Sequence, residues 1–236
     1  MKLLVIGGMH GNEPLGIELV RVLQAQPIKN VDAVIANNEA LAANVRFTGL
    51  DLNRSFPGKR ANTQYESRRA AEMVKLCKQY DIVLDFHNTY CPDNDCSFVG
   101  ETAEPKLYDL SGYLKLKRVI VADYDCINKY VDNCLSVEVS MNSNLNTVAY
   151  WLEKIAKLGE LSVLPKSDYI EKYRFVYRIT LEDSSKFNLS AGRLWAFKPI
   201  SDELAQNMGV DNPAYPIFIS DRFTPYNYGG LLNRLR

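Results

Sequence analysis

Short apolar segments alternate with segments of helical periodicity along the first 160 residues. Five apolar runs have the length of buried strands, and they lie at residues 2–7, 31–36, 82–86, 118–122 and 135–139. Four segments repeat their apolar residues every three or four positions, as amphipathic helices do, at residues 14–24, 63–80, 104–114 and 144–158. This alternation predicts an α/β fold with a mostly parallel sheet flanked by helices.

The pattern changes after about residue 160, where β-branched and aromatic residues become dense. Further strands are predicted in this region, at residues 169–181 and 215–220. We therefore predict a first domain at residues 1–160 and a small β-rich C-terminal domain at residues 161–236. At the start of the longest predicted helix, Thr63 followed three positions later by Glu66 predicts a capping box.

The charges of the chain are balanced, with 28 basic and 28 acidic residues among 236. A net charge of zero gives no electrostatic reason to expect nucleic acid or an anionic membrane as a partner. No apolar run approaches the roughly 18 residues of a membrane span, and polar His10 follows the first run at once. We therefore expect a cytoplasmic protein with no nucleic-acid or membrane partner, and its oligomeric state stays open.

The chain has five cysteines, an odd number that favours free thiols in a cytoplasmic protein. Cys91 and Cys96 lie close together in a polar segment, so a local zinc or redox pair is the alternative. Their spacing matches no zinc knuckle, and the other three cysteines are scattered. The sequence therefore favours unreactive thiols.

Only two histidines occur, and each follows a predicted strand. In open α/β sheets, ligands bind at the carboxyl ends of strands, so His10 and His87 are predicted to lie at one edge. Glu13 follows His10 by three residues, and two histidines with one carboxylate form the ligand set of a catalytic zinc ion. A His-x-x-Glu spacing alone is common, and a histidine after a strand is often structural. Their combination predicts one Zn²⁺ per chain, which would lower the pKa of a coordinated water to about 7.

Three ordered motifs resemble the succinylglutamate desuccinylase/aspartoacylase family, which is zinc carboxypeptidase-like. They are Gly-Met-His-Gly-Asn-Glu at 8–13, Asp-Leu-Asn-Arg-Ser-Phe at 51–56 and Asp-Phe-His-Asn-Thr at 85–89. The resemblance implies a carboxypeptidase-like α/β domain followed by a β-rich domain. It implies hydrolysis of a small-molecule N-acyl amino acid to a carboxylic acid and an amino acid. It also implies that His10, Glu13 and His87 are the zinc ligands.

The resemblance further implies that Glu138 is the catalytic glutamate. The residues around it alternate, so that Glu138 lies opposite the aliphatic residues Leu135, Val137 and Val139. A carboxylate that is partly desolvated between valines should have a raised pKa, which suits a general base that takes a proton from water and passes it to the leaving amine. An exposed strand glutamate is the alternative.

Three more residues carry over from the family as substrate-handling groups. Arg54 would clamp a substrate carboxylate, Asn53 would share that task, and Arg46 would polarise the scissile carbonyl. The alternative is that both arginines are surface charges. For Asp51 and Asp85 we predict structural hydrogen bonds rather than a role in orienting the ligands.

Two features depart from the family pattern. Ser140 stands where the family has glycine, two positions after the catalytic glutamate, so the pocket is expected to differ. The family also has a substrate-contacting tyrosine near the C-terminus, for which Tyr226 is the candidate and Tyr228 the second choice. The alternatives to an N-acyl amino acid deacylase are a zinc carboxypeptidase or peptide amidase, a non-catalytic zinc-binding module, and a thiol-based protein that uses Cys91 and Cys96.

Overall fold

The computed structural model describes residues 1–167, 169–189, 194–219 and 229–235. Numbered along the chain, the strands of these ranges are β1 Leu3–Gly7, β2 Val31–Ile35, β3 Ile82–Thr89, β4 Cys96–Gly100, β5 Arg118–Ala122, β6 Cys134–Ser140, β7 Glu171–Ile179, β8 Ala214–Ile217 and β9 Gly229–Arg234. The α-helices are α1 Pro14–Ala25, α2 Asn38–Ala43, α3 Tyr65–Cys77, α4 Lys106–Tyr113, α5 Ile127–Tyr130, α6 Val148–Glu160, α7 Leu181–Lys186 and α8 Asp202–Met208. A single 3-10 turn covers Leu52–Arg54.

The described strands form one sheet in the order β2-β1-β3-β6-β4-β5-β7-β9-β8. The pairs β1–β2, β1–β3, β3–β6, β4–β5 and β5–β7 are parallel. Strand β4 runs antiparallel to β6, and β9 runs antiparallel to both β7 and β8. The prediction of a mostly parallel α/β sheet is therefore confirmed.

Apolar side chains cover both faces of the central strands, which explains why these strands read as continuous apolar runs. Alternate residues of β1 enter opposite layers: Leu3 and Val5 pack with α1 and α6, whereas Leu4 and Ile6 pack with α3 and α5. In the first layer the rings of Phe86 and Trp151 meet edge-on, with centroids 5.0 Å apart. The helices thus pack against both faces of the middle of the sheet, next to the strand ends.

The residues after 160 extend this same sheet, because β7 pairs with β5 and then with β9. They also bring helices α7 and α8 and an apolar cluster of their own, which runs from Ile179 to Leu231. The division of the chain at residue 160 stays a prediction. No helix in the described ranges combines the length and apolar character needed to cross a membrane.

The predicted capping box at the start of α3 is wrong. The residue before the helix is Gln64, and its side chain makes no capping hydrogen bond. The Glu66 carboxylate instead accepts hydrogen bonds from the backbone N–H of Gly49, at 2.9 Å, and from the hydroxyl of Thr48, at 3.1 Å. The Glu66 carboxylate therefore makes a tertiary contact instead of the capping contact that the local sequence predicted.

Candidate active site

The site lies where β1, β3 and β6 reach the same edge of the sheet. The parallel register places His87 of β3 directly beside Glu138 of β6. Strand β1 ends at Gly7, and the chain then turns through residues 8–13 into α1 beside β3. The carboxyl ends of adjacent strands thereby bring together residues that lie far apart in the sequence.

Glycine makes the turn between β1 and α1 possible. Gly8 has φ +64°, in the left-handed region where a side chain is unfavourable. A Cβ atom on Gly11 would lie 2.1 Å from the backbone carbon of Ala40, so only glycine fits against α2 there. This close packing fixes the loop that carries both His10 and Glu13.

His10, Glu13 and His87 form a compact group of metal-binding type. Their ligand atoms all lie within 4.8 Å of one another, and at most 7% of each residue is exposed. The Glu13 carboxylate lies between the two rings, with Oε1 2.7 Å from His10 Nδ1 and Oε2 3.0 Å from His87 Nδ1. The structure thus brings the three predicted ligands to one point.

A second carboxylate contacts the far nitrogen of each ring. His87 Nε2 lies 2.8 Å from Asp85 Oδ2, and His10 Nε2 lies 3.2 Å from Asp51 Oδ1. A ring N–H that donates to a carboxylate leaves the Nδ1 lone pair free to bind a cation. The expected hydrogen bonds of Asp51 and Asp85 are present, but their partners are the rings of His10 and His87, so both aspartates also fix the orientation of these rings.

The charge of the cluster suits a divalent cation. Glu13, Asp51 and Asp85 place three carboxylates around two imidazoles, and Arg46 is the one arginine or lysine that pairs with any of them in the described ranges. Burial works to raise the pKa of Glu13, but the neighbouring histidines outweigh it and hold that pKa well below its usual range. When both imidazoles are neutral, the form in which they bind a metal, the cluster has a surplus of negative charge, and its nitrogen and oxygen donors fit Zn²⁺.

A cavity of about 280 Å³ opens onto this cluster. Its lining includes the four other described residues that the sequence analysis selected, which are Arg46, Asn53, Arg54 and Glu138. Tyr226 and Tyr228 lie outside the described residues. Every predicted site residue within the described ranges therefore lies at one cavity.

Glu138 enters the cavity from β6, beside His87. Its flanking residues Leu135, Val137 and Val139 all belong to the apolar layer on the opposite face, as the alternation predicted. Burial is the main cause that raises the pKa of Glu138 to about 7, and the Glu13 carboxylate adds to the rise while His87 opposes it. A carboxyl group with such a pKa can both accept and donate a proton near neutral pH.

The two arginines of the lining have different surroundings. Arg46 contacts the metal-type cluster, with Nη1 3.4 Å from Glu13 Oε1 and Nη2 3.5 Å from Asp51 Oδ2. The exposed Arg54 lies over the ring of Tyr124, 4.5 Å from its centroid, and makes no close ion pair among the described residues, although its charge helps to lower the pKa of Asp51. Beside Arg54, the buried Oδ1 of Asn53 accepts no hydrogen bond from any residue that the structure describes. These groups can receive a substrate.

Sequence analysis missed an aromatic part of the lining, made by Phe98, Tyr124 and Phe218. Tyr124 follows the predicted strand at 118–122, so its place after a strand end was an available signal. Phe98 lies on β4, which the periodicity did not detect. All five cysteines are buried and form no disulfide, and none belongs to the donor group found in the described ranges.

Comparison with known proteins finds a family model and relatives that are named as amide hydrolases. The model of the succinylglutamate desuccinylase/aspartoacylase catalytic domain matches residues 1–130. The rat N-acyl-aromatic-L-amino acid amidohydrolase (carboxylate-forming) is 34% identical over 135 residues, which are 50% of this chain and 42% of the rat protein. The human protein of the same name is 27% identical over 228 residues, or 84% of this chain and 67% of the human one. The matched region thus covers less than half of the rat relative.

Solved structures share the fold. Succinylglutamate desuccinylase from Chromobacterium violaceum has a TM-score of 0.74 at 18% identity, over 99% of this chain and 85% of that one. Murine aminoacylase 3 has a TM-score of 0.71 at 20% identity, over 100% of this chain and 95% of that one. At these identities the likeness concerns the fold alone.

Proposed function

Because this chain belongs to the succinylglutamate desuccinylase/aspartoacylase family, we propose that it hydrolyses the amide bond of an N-acyl amino acid. The products would be a carboxylic acid and an amino acid. One observation carries the proposal: the buried His10–Glu13–His87 group and the Glu138 carboxyl share a single small cavity. A volume of about 280 Å³ lies at the lower end for small-ligand sites, which favours a small amide over a longer peptide.

Zinc is the cofactor we propose, with one ion per chain. His10 and His87 would hold it through Nδ1 and Glu13 through its carboxylate, while Asp51 and Asp85 fix the two rings. When bound, zinc supplies Lewis acidity that lowers the pKa of a water to about 7 and polarises a carbonyl. The buried surplus of carboxylates supports a cation of this charge.

Glu138 is the proposed general base and general acid. Its carboxylate would take a proton from the attacking water and deliver that proton to the amine as the amide bond breaks. The pKa near 7 supports both steps, since the group exchanges its proton easily at neutral pH. Its position beside His87 supports a short path between the water and the leaving group.

The remaining polar groups would position the substrate. Arg54 would bind the carboxylate of the amino acid through two parallel hydrogen bonds, with Asn53 Oδ1 accepting a hydrogen bond from the substrate. Arg46 would stabilise the negative charge that develops on the scissile carbonyl oxygen. Its contacts with Glu13 and Asp51 support this role, because they hold the guanidinium at the reacting centre.

Metal analysis combined with a substrate panel tests the proposal. The purified chain should bind one equivalent of zinc and hydrolyse at least one N-acetyl, N-succinyl or other N-acyl amino acid faster than any short peptide. Faster peptide cleavage would favour a carboxypeptidase or peptide amidase. Stoichiometric zinc without hydrolysis of any amide would favour a non-catalytic zinc-binding module, and loss of function on thiol alkylation alone would favour thiol chemistry.

Replacement of the proposed base separates chemistry from metal binding. Glu138→Gln should lower kcat at least 100-fold, the usual size of a general-base contribution, while the zinc content stays at one per chain. Glu39→Gln is the matched control, because Glu39 is an exposed glutamate on α2. If Glu138→Gln retains kcat within a few-fold of the wild type, Glu138 is not the base.

A further inference from the structure

A chain of buried hydrogen bonds leads from His87 into the interior of the protein. The parallel register sets Asp85 of β3 opposite Ser136 of β6, as it sets His87 opposite Glu138. Ser136 therefore lies on the same face of β6 as Glu138, two residues farther from the strand end. Its hydroxyl oxygen lies 3.1 Å from Asp85 Oδ2 and 2.9 Å from Oδ1 of Asn128, a residue of α5. At most 5% of Asp85, Ser136 or Asn128 is exposed, so these contacts are shielded from bulk water.

The Asn128 side chain can only accept a hydrogen bond from Ser136. Its Nδ2 donates to the backbone carbonyls of Phe98 and Cys134, both at 3.1 Å. A carbonyl cannot donate, so the amide nitrogen has to face these two groups and Oδ1 has to face Ser136. Asp85 also presents a carboxylate oxygen to Ser136, which is an acceptor. The Ser136 hydroxyl thus lies between two acceptors.

The Ser136 hydroxyl has one proton, so it can donate to Asp85 or to Asn128 but not to both at once. A hydrogen bond to a carboxylate is roughly twice as strong as a bond to a neutral acceptor. The proton of Ser136 therefore points to Asp85 when that carboxylate carries its full charge. Asn128 is the second choice, which the hydroxyl takes when the charge on Asp85 is reduced.

The same oxygen of Asp85 accepts the hydrogen bond from the ring of His87, whose Nε2 lies 2.8 Å away. Ser136 and His87 thus share one acceptor atom, and each weakens the bond of the other because both draw on the same electron density. The Nε2–H of His87 donates more strongly when Nδ1 holds a cation, since the cation withdraws electron density from the ring. Less charge then remains on Asp85 for Ser136, and Asn128 becomes the better acceptor.

This competition has a thermodynamic consequence for cation binding. Ser136 stabilises Asp85 more in the cation-free protein than in the cation-bound protein. A group that stabilises the free state more than the bound state lowers the affinity by that difference in free energy. Ser136 should therefore oppose cation binding, although its hydroxyl belongs to none of the three ligands.

We infer that Ser136 is a positioning residue that limits the affinity of the site for zinc. It competes with His87 for Asp85, and Asn128 accepts its hydrogen bond when the ion is bound. The inference rests on the proposed function, because it concerns the proposed zinc ligands. It goes further in that it assigns a residue outside the ligand group which sets how tightly the ion is held.

Removal of the Ser136 hydroxyl tests the inference. In competition against a chelating fluorophore at fixed pH, the full chain with Ser136→Ala should bind zinc about fivefold more tightly than the wild type, the factor expected for the difference between a charged and a neutral hydrogen bond. Ser97→Ala is the matched control and should leave the affinity unchanged. Ser97 is also a buried serine of a strand, but its hydroxyl bonds to Ser111 and it is not part of the described lining of the cavity.

The outcomes separate the inference from the proposed function. An unchanged or weaker zinc affinity in folded Ser136→Ala overturns the inference and leaves the proposed hydrolysis intact. A wild-type chain that binds no zinc contradicts the proposed cofactor, and the inference falls with it. A chain that binds zinc but hydrolyses no amide contradicts the proposed function, whereas a tighter affinity in Ser136→Ala still supports the role of Ser136.

A conservative variant distinguishes competition for Asp85 from a change in packing. Ser136→Thr keeps the hydroxyl and should restore the zinc affinity to within about twofold of the wild type. Its additional methyl group can enter the cavity, which Ser136 lines. A folded Ser136→Thr that binds zinc as tightly as Ser136→Ala would overturn the inference.

Removal of the alternative acceptor should have the opposite effect. Asn128→Leu keeps the approximate size of the side chain but accepts no hydrogen bond, so zinc affinity should fall about threefold instead of rising. Asn128→Ala serves the same purpose if the leucine variant does not fold. An affinity at or above that of the wild type would contradict the role assigned to Asn128.

NMR of the metal-free protein measures the competition in the absence of zinc. The chain has two histidines, so a nitrogen-edited spectrum of histidine-labelled protein contains the resonances of two rings. Only 4% of His87 is exposed, so its Nε2 proton should exchange slowly with water. In Ser136→Ala this proton should move downfield, because Asp85 then accepts a stronger hydrogen bond from His87, and it should not move in Ser97→Ala. A resonance that stays in place or moves upfield in Ser136→Ala would overturn the inference.

Discussion

The hydrogen bond between Asp85 and His87 should set the affinity of the site for zinc. Asp85 is fully buried, and its Oδ2 lies 2.8 Å from His87 Nε2 and 3.1 Å from the Ser136 hydroxyl. Its Oδ1 has no partner among the described residues. Asp85→Asn therefore preserves the shape of the residue, because the amide oxygen can take the place of Oδ2 and the NH₂ group that of Oδ1.

The expected loss follows from the strength of that bond. A hydrogen bond to a charged group contributes about 1.5–3 kcal/mol, and each 1.4 kcal/mol is tenfold in an equilibrium constant. The hydrogen bond is present with and without the cation, so only the increase in its strength on cation binding contributes to the zinc affinity. We therefore expect Asp85→Asn to weaken zinc binding about tenfold, the lower end of the range for partners of ligand histidines.

Competition against a chelating fluorophore at fixed pH measures this change without reference to activity. Asp123→Asn is the matched control, since Asp123 is an exposed aspartate away from the ligand group. Thermal unfolding of the metal-free variants should be similar, which separates a local effect from misfolding. A zinc affinity of folded Asp85→Asn within twofold of the wild type would refute the reasoning.

Three other expectations concern substrate binding, pH and stability. Arg54→Ala should raise KM for N-acyl amino acids about tenfold or more with a smaller change in kcat, and an unchanged KM in steady-state assays would contradict the carboxylate clamp. The general base must be deprotonated, and burial raises the pKa of Glu138 to about 7, so kcat/KM should fall as pH drops below this value. A bound cation lowers the pKa of Glu138 and so moves this acid-side fall in kcat/KM to lower pH. A kcat/KM that stays constant from about pH 8 to 4 would contradict the assignment of Glu138 as the base. Glu66→Ala should lower the free energy of unfolding by about 1–3 kcal/mol, because it leaves the N–H of Gly49 and the hydroxyl of Thr48 without their acceptor; an unchanged denaturant midpoint would contradict this.

The sequence predicted the parts of the site that follow local rules. The apolar runs predicted β1 and β3. Because His10 and His87 follow these runs, the sequence also predicted that both lie at the same edge of the sheet. Alternation on β6 assigned Glu138 to the cavity side. These patterns succeed because side-chain direction alternates along a strand and because a strand buried on both faces is apolar throughout, so both features can be read from a short stretch of sequence.

The sequence did not predict the parts that depend on tertiary contact. Phe98, Tyr124 and Phe218 span more than a hundred positions and meet only because β4, β5 and β8 lie within one sheet. Strand β4 was missed since its sequence, Cys-Ser-Phe-Val-Gly, has only a short apolar stretch and includes the buried Ser97, whose hydroxyl bonds to Ser111. The role of Asp51 was underestimated because its partner His10 lies 41 positions away in the sequence. Asp85 shares a strand face with His87 two positions on, which was a local signal of their contact, but a purely structural role was preferred.

The reversal of β4 has a consequence for how the shape of the cavity could change. Strand β6 lies between β3 and β4, so the six residues at 90–95 must arch over the end of β6 to join the two strands. This arch carries Asn94 and forms part of the roof of the cavity, yet it adds no strand to the sheet. Its exposed residues Tyr90, Pro92 and Asp93 can therefore vary, whereas Cys91, Asn94 and Asp95 are hydrogen-bonded to Ser140 of β6. Libraries confined to these three exposed positions would be an economical way to change which ligands the cavity accepts.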